Sequence, residues 1–372
     1  MRHGFTTGSC SAAAAKAAVY MLLTGKRKEN IVITTPKGID FNADIVDITI
    51  TEQYARCGVV KDGGDDPDIT TGAVVYVKAE NIADGLGRVS IDGGDGVGRV
   101  TKPGLDQPVG NAAINSVPRQ MIEREVREVM ALLDFTDSIA ITVEVPDGEE
   151  IAGKTFNSRL GIVGGISILG TSGIVEPMSS QALLDTIRVE LRQKHELGKK
   201  LIAVAPGNYG LDFMRNEYGY DLDEAVKCSN FIGDTLDMIA EFGFERVLFC
   251  GHIGKLIKVS GGIMNTHSMV ADCRMELMTY SALKAGADIG TLEEIAGCVS
   301  TDAAYKVIRN AGIEKPFMQN VMERIEYYLN KKVAGRYRLE CIVYSNEYGV
   351  LGETDGAGEL MKELTEPSGA EG

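Results

Sequence analysis

Hydrophobic and polar positions follow different periods in the two halves of the chain. In the first half, an alanine-rich run from Ala12 to Leu23 predicts one helix, and an amphipathic pattern predicts a second over Gln120–Leu133. Alternating apolar and polar positions predict strands in the same half, at Asn30–Thr35, Phe41–Thr51, Ala73–Ala79 and Ser138–Val145. This mixture predicts an N-terminal α+β domain over residues 1–150.

In the second half, short apolar runs alternate with longer helical patterns. Strands are predicted at Ile166–Leu169, Leu201–Ala205, Arg246–Cys250 and Arg338–Tyr344. Helices are predicted at Ser179–Leu197, Asn230–Phe242, Met269–Ala285 and Leu292–Ala296. Such alternation predicts a Rossmann-like α/β domain with a mostly parallel sheet over residues 151–352. Residues 353–372 are predicted to form a polar C-terminal tail.

Three of the predicted strands run directly into glycine-rich loops. The loops are Gly170–Gly173, Pro206–Gly210 and Gly251–Gly254. Glycine lets a backbone turn tightly and approach a ligand without a Cβ atom in the way. If the three strands lie parallel in one sheet, their loops meet at its carboxyl edge, the usual ligand crevice of an open α/β sheet. The alternative is that they are ordinary strand-to-helix turns.

Composition and charge narrow the classes of partner. The chain has 372 residues, a formal net charge of −15, no tryptophan and 6% aromatic residues, which argues against a nucleic-acid surface. Its seven cysteines contain no C-x-x-C pair, so they are expected to be reduced, mostly buried thiols of a cytoplasmic protein. No run reaches the ~18 apolar residues that a membrane helix needs, and no signal peptide is expected.

Two polar segments of the first half are weighed as ligand sites. Thr6, Thr7 and Ser9 stand at the head of the alanine-rich helix, where an anion site and a simple helix cap are equally compatible with the pattern. The aspartates of Lys61–Asp68 lack calcium-loop spacing, because the sixth and twelfth positions counted from Asp66 are threonine and valine. A turn is therefore expected there, and no protein metal is predicted.

Cations are concentrated in loops of an otherwise acidic chain. Arg99, Lys102 and Arg119 lie among glycines and suit a ligand that carries several carboxylates, although isolated surface charges would give the same pattern. His252 and His267 lie in or after the third glycine loop without zinc-motif spacing. For each histidine, two interpretations remain open: a role in the ligand site, or a structural side chain whose hydrogen bonds are made within the protein.

Five blocks of sequence resemble the signature blocks of a known family. The blocks are Gly4–Cys10, Lys61–Asp68, Gly96–Thr101, Gly164–Thr171 and Gly251–Lys255. In order and without a large gap, they look like those of the CbiD family. The resemblance implies S-adenosylmethionine-dependent methylation of cobalt-precorrin-5B at ring carbon 1, which gives cobalt-precorrin-6A in anaerobic cobalamin biosynthesis. It also implies that cobalt belongs to the tetrapyrrole substrate.

The resemblance and the loop chemistry together assign roles to residues. Residues predicted to bind the S-adenosylmethionine donor are Gly170, Thr171, Ser172, Gly173, Gly207, Asn208, Asp212 and Gly251. Residues predicted to bind the tetrapyrrole are Thr6, Thr7, Ser9, Arg99, Lys102, Arg119, Lys255, His267 and Arg274. If a base removes a ring proton, His252 is the first candidate and Asp66 the second.

Two other classes of protein stay open at this point. A nicotinamide-dependent oxidoreductase would use the same crevice, but the G-x-G-x-x-G fingerprint and the P-loop are both missing from the sequence. A non-catalytic tetrapyrrole-binding protein would need the basic loops and no donor site. A homo-oligomer remains an open alternative to a monomer.

Overall fold

The computed structural model describes residues 2–66, 68–155, 157, 160–176, 180–220 and 224–366, without the side chains of residues 208–211. Internal contacts divide the chain into two compact units, Met1–Ser179 and Ser180–Gly372. Both units mix helices with sheets, as an α/β protein does. Of the described helices, none combines the length and the apolar character needed to span a membrane.

The first unit contains three helices among the described residues and a set of mostly antiparallel strands. In chain order its elements are β1 (Gly4–Phe5), α1 (Thr7–Thr24), β2 (Asn30–Thr34), β3 (Asp40–Asp44), β4 (Val46–Ile50), β5 (Tyr54–Val60), β6 (Val74–Ile82), β7 (Val89–Gly93), β8 (Arg99–Val100), α2 (Ser116–Leu132), β9 (Ser138–Glu144), α3 (Gly148–Ala152), β10 (Ile162–Val163) and β11 (Ile174–Val175). The main sheet has the order β4-β5-β6-β9-β7.

Helix α1 is the central element of the first unit. Thr6 is its N-cap and accepts a hydrogen bond from the Ser9 N–H, and Gly25 ends the helix in the left-handed conformation. All six of its alanines are fully buried, between α2 and the strands β5 and β6. Because an alanine side chain is small, the helix can pack closely on both neighbours. The predicted helix over Ala12–Leu23 is confirmed.

Residues 151–179 belong to the first unit, so the division lies later than the predicted boundary near residue 150. Strand β10 pairs with β8, and β11 pairs with β1. Between them, Ile166 and Ile168 form single parallel bridges to Val97 and Ile114. The predicted strand Ile166–Leu169 therefore does not enter the parallel sheet of the second unit, because its backbone partners are all in the first.

Three glycines from distant parts of the first unit meet at one point. The Gly96 carbonyl accepts a hydrogen bond from the Ile166 N–H. A Cβ atom added at either Gly148 or Gly165 would overlap that same carbonyl. Gly96 also has φ +66°, a conformation that side chains rarely tolerate. The three backbones can cross here only because none of these residues carries a side chain.

The second unit is a sheet covered by helices on both faces. In chain order its elements are α4 (Ser180–Glu196), β12 (Leu201–Ala205), α5 (Asn208–Tyr218), β13 (Ala225–Lys227), α6 (Ile232–Phe242), β14 (Arg246–His252), α7 (Ile253–Val259), α8 (Arg274–Lys284), α9 (Ile289–Ala296), α10 (Thr301–Asn310), α11 (Glu314–Val333), β15 (Arg338–Ser345), β16 (Gly349–Glu353) and α12 (Ala357–Thr365). One face packs against α5 and α12, and the other packs against helices that include α4, α7 and α11. Helices α8, α9 and α10 pack against α7, α11 and one another.

The strand order of the second unit determines where loops can meet. The order is β13-β12-β14-β15-β16, in which the first four strands are parallel and β16 is antiparallel. The chain moves from β12 outward to β13 and then returns to the other side of β12 to form β14. The direction of winding thus reverses between β12 and β14, and such a switch point is where open α/β sheets bind ligands.

The C-terminal residues do not form only a polar tail. Helix α12 begins four residues after β16 and buries Ala357, Leu360 and Met361. These positions recur at the spacing of one helix face, which explains why the segment packs against the sheet. The predicted polar tail over 353–372 is wrong for residues 357–365.

Candidate functional site

Two of the three predicted glycine loops lie side by side at the carboxyl edge of the second unit's sheet. Strand β12 ends at Ala205 and leads into Pro206 and Gly207, and the adjacent strand β14 ends with Gly251 and His252. A Cβ atom at Gly251 would overlap the Leu256 side chain and come within 3.3 Å of Pro206. The absence of a side chain at position 251 therefore allows the two loops to approach each other.

The third predicted loop, Gly170–Gly173, is not part of this edge. It lies in the first unit against the head of α1, where the Gly8 N–H donates to the Leu169 carbonyl and the Thr6 N–H donates to the Gly173 carbonyl. A Cβ atom at Gly170 would overlap the Thr6 side chain. The prediction that all three loops line one sheet edge is wrong, because the residues before Gly170 bridge to the first unit.

The hydroxyls at the head of α1 form internal hydrogen bonds. Thr7 Oγ1 accepts from the Leu169 N–H at 3.0 Å, and Ser9 Oγ donates to the Gly173 carbonyl at 2.6 Å. Thr6, Thr7 and Ser9 are all buried. These contacts fasten the Gly170–Gly173 turn, including Thr171 and Ser172, to the helix. Direct contact between any of these residues and a ligand stays a prediction.

Lys255 occupies the carboxyl edge of the second unit as a cation without a counter-ion. Its Nζ donates to the Pro206 carbonyl at 2.9 Å and to the Ser229 carbonyl at 3.4 Å. No acidic side chain in the described part of the chain pairs with it, and burial lowers its pKa. An ammonium group has three donors, so one N–H remains for a ligand. An anion bound here would supply the missing negative charge.

Helix α5 begins at the same edge with an uncapped N-terminus. Gly207 is the N-cap residue, and no side chain caps the helix there. Free N–H groups in a first turn attract anions. No atom lies within 4 Å of a Cβ placed on Gly207, so the space beside it is open. Asp212 is exposed on the same helix, whereas the side chain of Asn208 lies outside the described part of the structure.

His252 caps helix α7, and this limits its chemistry. Its Nδ1 accepts a hydrogen bond from the Gly254 N–H at 3.0 Å, so the proton of the neutral ring is assigned to Nε2. Nε2 lies 3.7 Å from Asp302 Oδ1, and burial lowers the His252 pKa despite that carboxylate. With Nε2 protonated, the only basic lone pair of the neutral ring is that of Nδ1, which is already engaged by the Gly254 N–H. The arrangement argues against the predicted role as a base.

Tyr344 is a residue of this edge that the sequence analysis missed. It lies opposite His252 in the pairing of β14 with β15. Its ring stacks on Phe213 at 4.0 Å and meets the His252 ring edge-on at 5.5 Å. The hydroxyl is buried and has no hydrogen-bond partner in the described structure. In the sequence, Tyr344 is simply the last apolar position of a strand, so nothing there distinguishes it from a core residue.

The predicted cations of the first unit are engaged with protein groups. Arg99 forms a two-pronged ion pair with Asp92, and Arg119 donates to the carbonyls of Ile91, Ile114 and Ala112. Burial lowers the Arg119 pKa. The aliphatic part of Lys102 packs against Gly161. Arg119 thus has a structural role, and contact between a substrate and Arg99 or Lys102 stays a prediction.

The remaining predicted residues are dispersed. In the second unit, Arg274 pairs with Asp272, and His267 Nδ1 accepts from the Met269 N–H in an exposed loop. Asp66 lies in the acidic turn of the first unit. Within the second unit, no described contact joins His267 or Arg274 to His252. Their roles stay predictions.

Family models match both parts of the chain. A model described as CbiD matches residues 1–177, and one described as CbiD, C-terminal domain, matches residues 265–355. Together they cover well over half of the sequence.

The chain belongs to the CbiD family.

Curated relatives extend this CbiD assignment over nearly the whole chain. The protein is 42% identical to cobalt-precorrin-5B C(1)-methyltransferase of Ruminiclostridium cellulolyticum over 99% of this chain and 96% of that one. It is 45% identical to the protein of the same name from a Thermoanaerobacter species, over 97% of each chain. A crystal structure of cobalamin biosynthesis protein (cbiD) from Archaeoglobus fulgidus aligns with 73% of this chain and 84% of that one, at 27% identity and a TM-score of 0.38.

This CbiD chain offers neither a metal cluster nor an activated thiol in its described part. No group of three or more His, Cys, Asp or Glu side chains there could hold a metal ion. All seven cysteines are unpaired, and five of them are buried. Burial raises the pKa of the Cys10, Cys57 and Cys228 thiols to about 12, which keeps them protonated and unreactive.

Proposed function

We propose that this protein methylates cobalt-precorrin-5B at ring carbon 1 and gives cobalt-precorrin-6A in anaerobic cobalamin biosynthesis, with S-adenosylmethionine as methyl donor. The observation that carries this proposal is the identity of 42–45% to relatives named for this reaction, over nearly their full length. Cobalt is part of the substrate in this proposal. The absence of a catalytic triad or metal motif from the sequence fits methyl transfer, which depends mainly on positioning the two reactants.

We assign the donor site to the carboxyl edge of the second unit. The strand order supports a Rossmann-like, doubly wound domain whose switch point lies between β12 and β14. Gly207 and Gly251 border that point, and neither has a side chain that would fill the crevice. Of the predicted donor residues, Gly170–Gly173 have no support for this role, because they belong to the first unit.

The charges at this edge fit the donor. S-adenosylmethionine carries a carboxylate, and Lys255 is an ammonium without a counter-ion beside the uncapped N-terminus of α5. A carboxylate there would pair with the Lys255 Nζ and with the first-turn N–H groups. Asp212, on the same helix, is suited to accept hydrogen bonds from the ribose hydroxyls. The bound donor supplies a methyl group on a positively charged sulfur.

His252 contributes by positioning. As the N-cap of α7, it fixes the turn that follows β14. Lys255 lies in the first turn of the same helix, so its position depends on this cap. Its Nε2–H can donate a hydrogen bond, whereas its Nδ1 would have to release the Gly254 N–H before it could accept a proton. The residues of this edge are therefore assigned to binding and orienting the methyl donor. We propose that exposed basic residues such as Arg99 bind the carboxylates of the tetrapyrrole. Arg99 would then have to break its ion pair with Asp92 to bind the substrate.

The test is a calorimetric titration of the purified protein with S-adenosylhomocysteine, NAD and NADP, followed by single-turnover methylation of cobalt-precorrin-5B without oxygen. We expect S-adenosylhomocysteine to bind and the nicotinamide cofactors not to bind. Tight NADP binding without S-adenosylhomocysteine binding would refute the proposal in favour of an oxidoreductase. Tetrapyrrole binding without any methyl transfer would instead indicate a carrier.

A substitution of Lys255 tests whether its ammonium group binds the carboxylate of the donor. Lys255→Met removes the ammonium and should weaken S-adenosylhomocysteine binding at least ~tenfold, since a hydrogen bond to a charged group is worth about 1.5–3 kcal/mol. Lys284→Met is the matched control, because Lys284 is exposed near the end of α8. Equal affinities of the two variants would remove Lys255 from the donor site.

A further inference from the structure

The Tyr344 hydroxyl is a buried polar group without a hydrogen-bond partner among the described residues. Nearly all buried hydroxyls in native proteins have a partner, because water or protein must replace the lost hydration. A group left without one is an unusual feature that calls for a ligand or a trapped water. Tyr344 is the only tyrosine hydroxyl with this property in the described part of the chain.

The surroundings of Tyr344 fix the ring and place it at the carboxyl edge. Phe213 of α5 stacks on one face with an interplanar angle of 8°, and the His252 ring stands at 85° to it. Since β14 ends at His252, and Tyr344 is its partner in β15, the ring lies at the end of the strands. A ring held by two aromatic contacts presents its hydroxyl in one position.

Helix α5, whose Phe213 stacks on the Tyr344 ring, also carries the carboxylate of Asp212. Burial raises the Tyr344 pKa, and the negative charges of Cys250 and Asp212 in their ionised forms contribute further. Asp212 immediately precedes Phe213, the residue stacked on Tyr344, and is itself exposed. The edge therefore pairs a hydroxyl that can donate with a carboxylate that can only accept.

We propose that the Tyr344 hydroxyl and the Asp212 carboxylate together bind the vicinal diol of a ribose, with the tyrosine donating to one diol oxygen and the aspartate accepting from a diol hydroxyl. A diol offers both lone pairs and hydroxyl protons, which matches this pair of groups. The inference rests on the proposed function, because it identifies the ribose as that of the methyl donor. Tyr344 is then a donor-binding residue that gains its missing hydrogen bond only when the nucleoside is bound.

The decisive variant is Tyr344→Phe, which removes the hydroxyl and keeps the ring. We expect S-adenosylhomocysteine affinity to fall about five- to tenfold, the usual range for loss of one hydrogen bond to a ligand. The fall should vanish with 2′,3′-dideoxy-S-adenosylhomocysteine, because that ligand has no diol to contact. The thermal midpoint of the free protein should stay unchanged or rise, since the variant removes an unpaired buried polar group.

Tyr337→Phe is the matched control. Tyr337 is also a buried tyrosine of the second unit, but its hydroxyl donates to the Leu236 carbonyl at 2.9 Å. That variant should lower the thermal midpoint and leave S-adenosylhomocysteine affinity unchanged.

Three results would overturn the inference. If Tyr344→Phe binds S-adenosylhomocysteine as the wild type does, the hydroxyl does not contact the ligand. If the variant loses thermal stability as Tyr337→Phe does, a trapped water is its partner. If the affinity loss persists with the dideoxy ligand, the contact is not to the diol. A wild-type protein that does not bind S-adenosylhomocysteine at all would refute the proposed function as well.

Discussion

Two substitutions of His252 separate a role in proton transfer from a role in helix capping. Both remove the imidazole, but only one of them also removes the hydrogen-bond acceptor at the N-cap. His252→Ala removes the Nδ1 that accepts from the Gly254 N–H, whereas His252→Asn places another acceptor at the N-cap. Loss of an N-cap acceptor costs about 0.5–2 kcal/mol, and asparagine is among the best N-cap residues. We therefore expect the alanine variant to lose about 1 kcal/mol of unfolding free energy and the asparagine variant to lose much less.

The rates should follow the same order. If His252 only positions the turn that carries Lys255, His252→Asn should keep single-turnover methylation within about tenfold of wild type. A general base would instead be worth ~10²–10⁴ in rate, and no asparagine could replace it. The assay is anaerobic single-turnover methylation at several pH values, with urea unfolding of each variant alongside. A fully stable His252→Asn protein that has lost ~10²-fold or more in rate would refute the capping role.

The pH dependence of stability gives an independent check on His252. Burial lowers its pKa in the folded state below the usual ~6.5 of the unfolded chain. As pH falls below about 6.5, the unfolded chain therefore binds a proton before the folded protein does, and stability is lost. His252→Asn should lose less stability than wild type over that acidic range. Urea midpoints that fall by the same amount in the two proteins from pH 7 to pH 5 would contradict the lowered pKa.

Other substitutions test single contacts. Arg119→Met should lower the unfolding free energy by about 1.5–3 kcal/mol in denaturant titration, because the guanidinium donates to three backbone carbonyls. Gly170→Ala, at φ +136°, should destabilise the first unit by more than about 2 kcal/mol, because the new Cβ would overlap Thr6. Gly207→Ala should change stability by less than about 0.5 kcal/mol, because the space beside it is open, and should still weaken S-adenosylhomocysteine binding. Lys61→Met should cost about 2–4 kcal/mol by leaving Asp68 without its nearly buried cation, and Lys61→Arg should restore part of that loss.

Local patterns predicted much of the fold. The alanine-rich helix and the apolar strands at Leu201 and Arg246 are present, since each has a strong period of its own. The predicted strand Phe41–Thr51 is instead divided into β3 and β4, which belong to different sheets. Helices α10 and α11 were missed, although the burial of one face of α10 follows a helical period. The run Ile166–Leu169 was misassigned because a short apolar segment does not reveal which sheet it joins.

The candidate site was predicted only in part. The sequence identified Gly207, Gly251 and Lys255, because glycines and a lysine after apolar strands are a local signal. It could not identify Tyr344, whose distinguishing feature is a hydroxyl left without a partner by residues far away in the chain. It also could not tell that Arg119 binds backbone carbonyls, since that depends on how three loops pack.

The meeting of Gly96, Gly148 and Gly165 limits where this polypeptide can be divided. A fragment that stops near residue 150 would lose Gly165 and the Ile166 N–H, and the Gly96 carbonyl would then lack its hydrogen-bond donor. The apolar side chains of Val97 and Ile114 would also lose their neighbours in the 166–168 segment. Separate expression of the two halves, limited proteolysis or fusion of a reporter between them should therefore use a cut after residue 176.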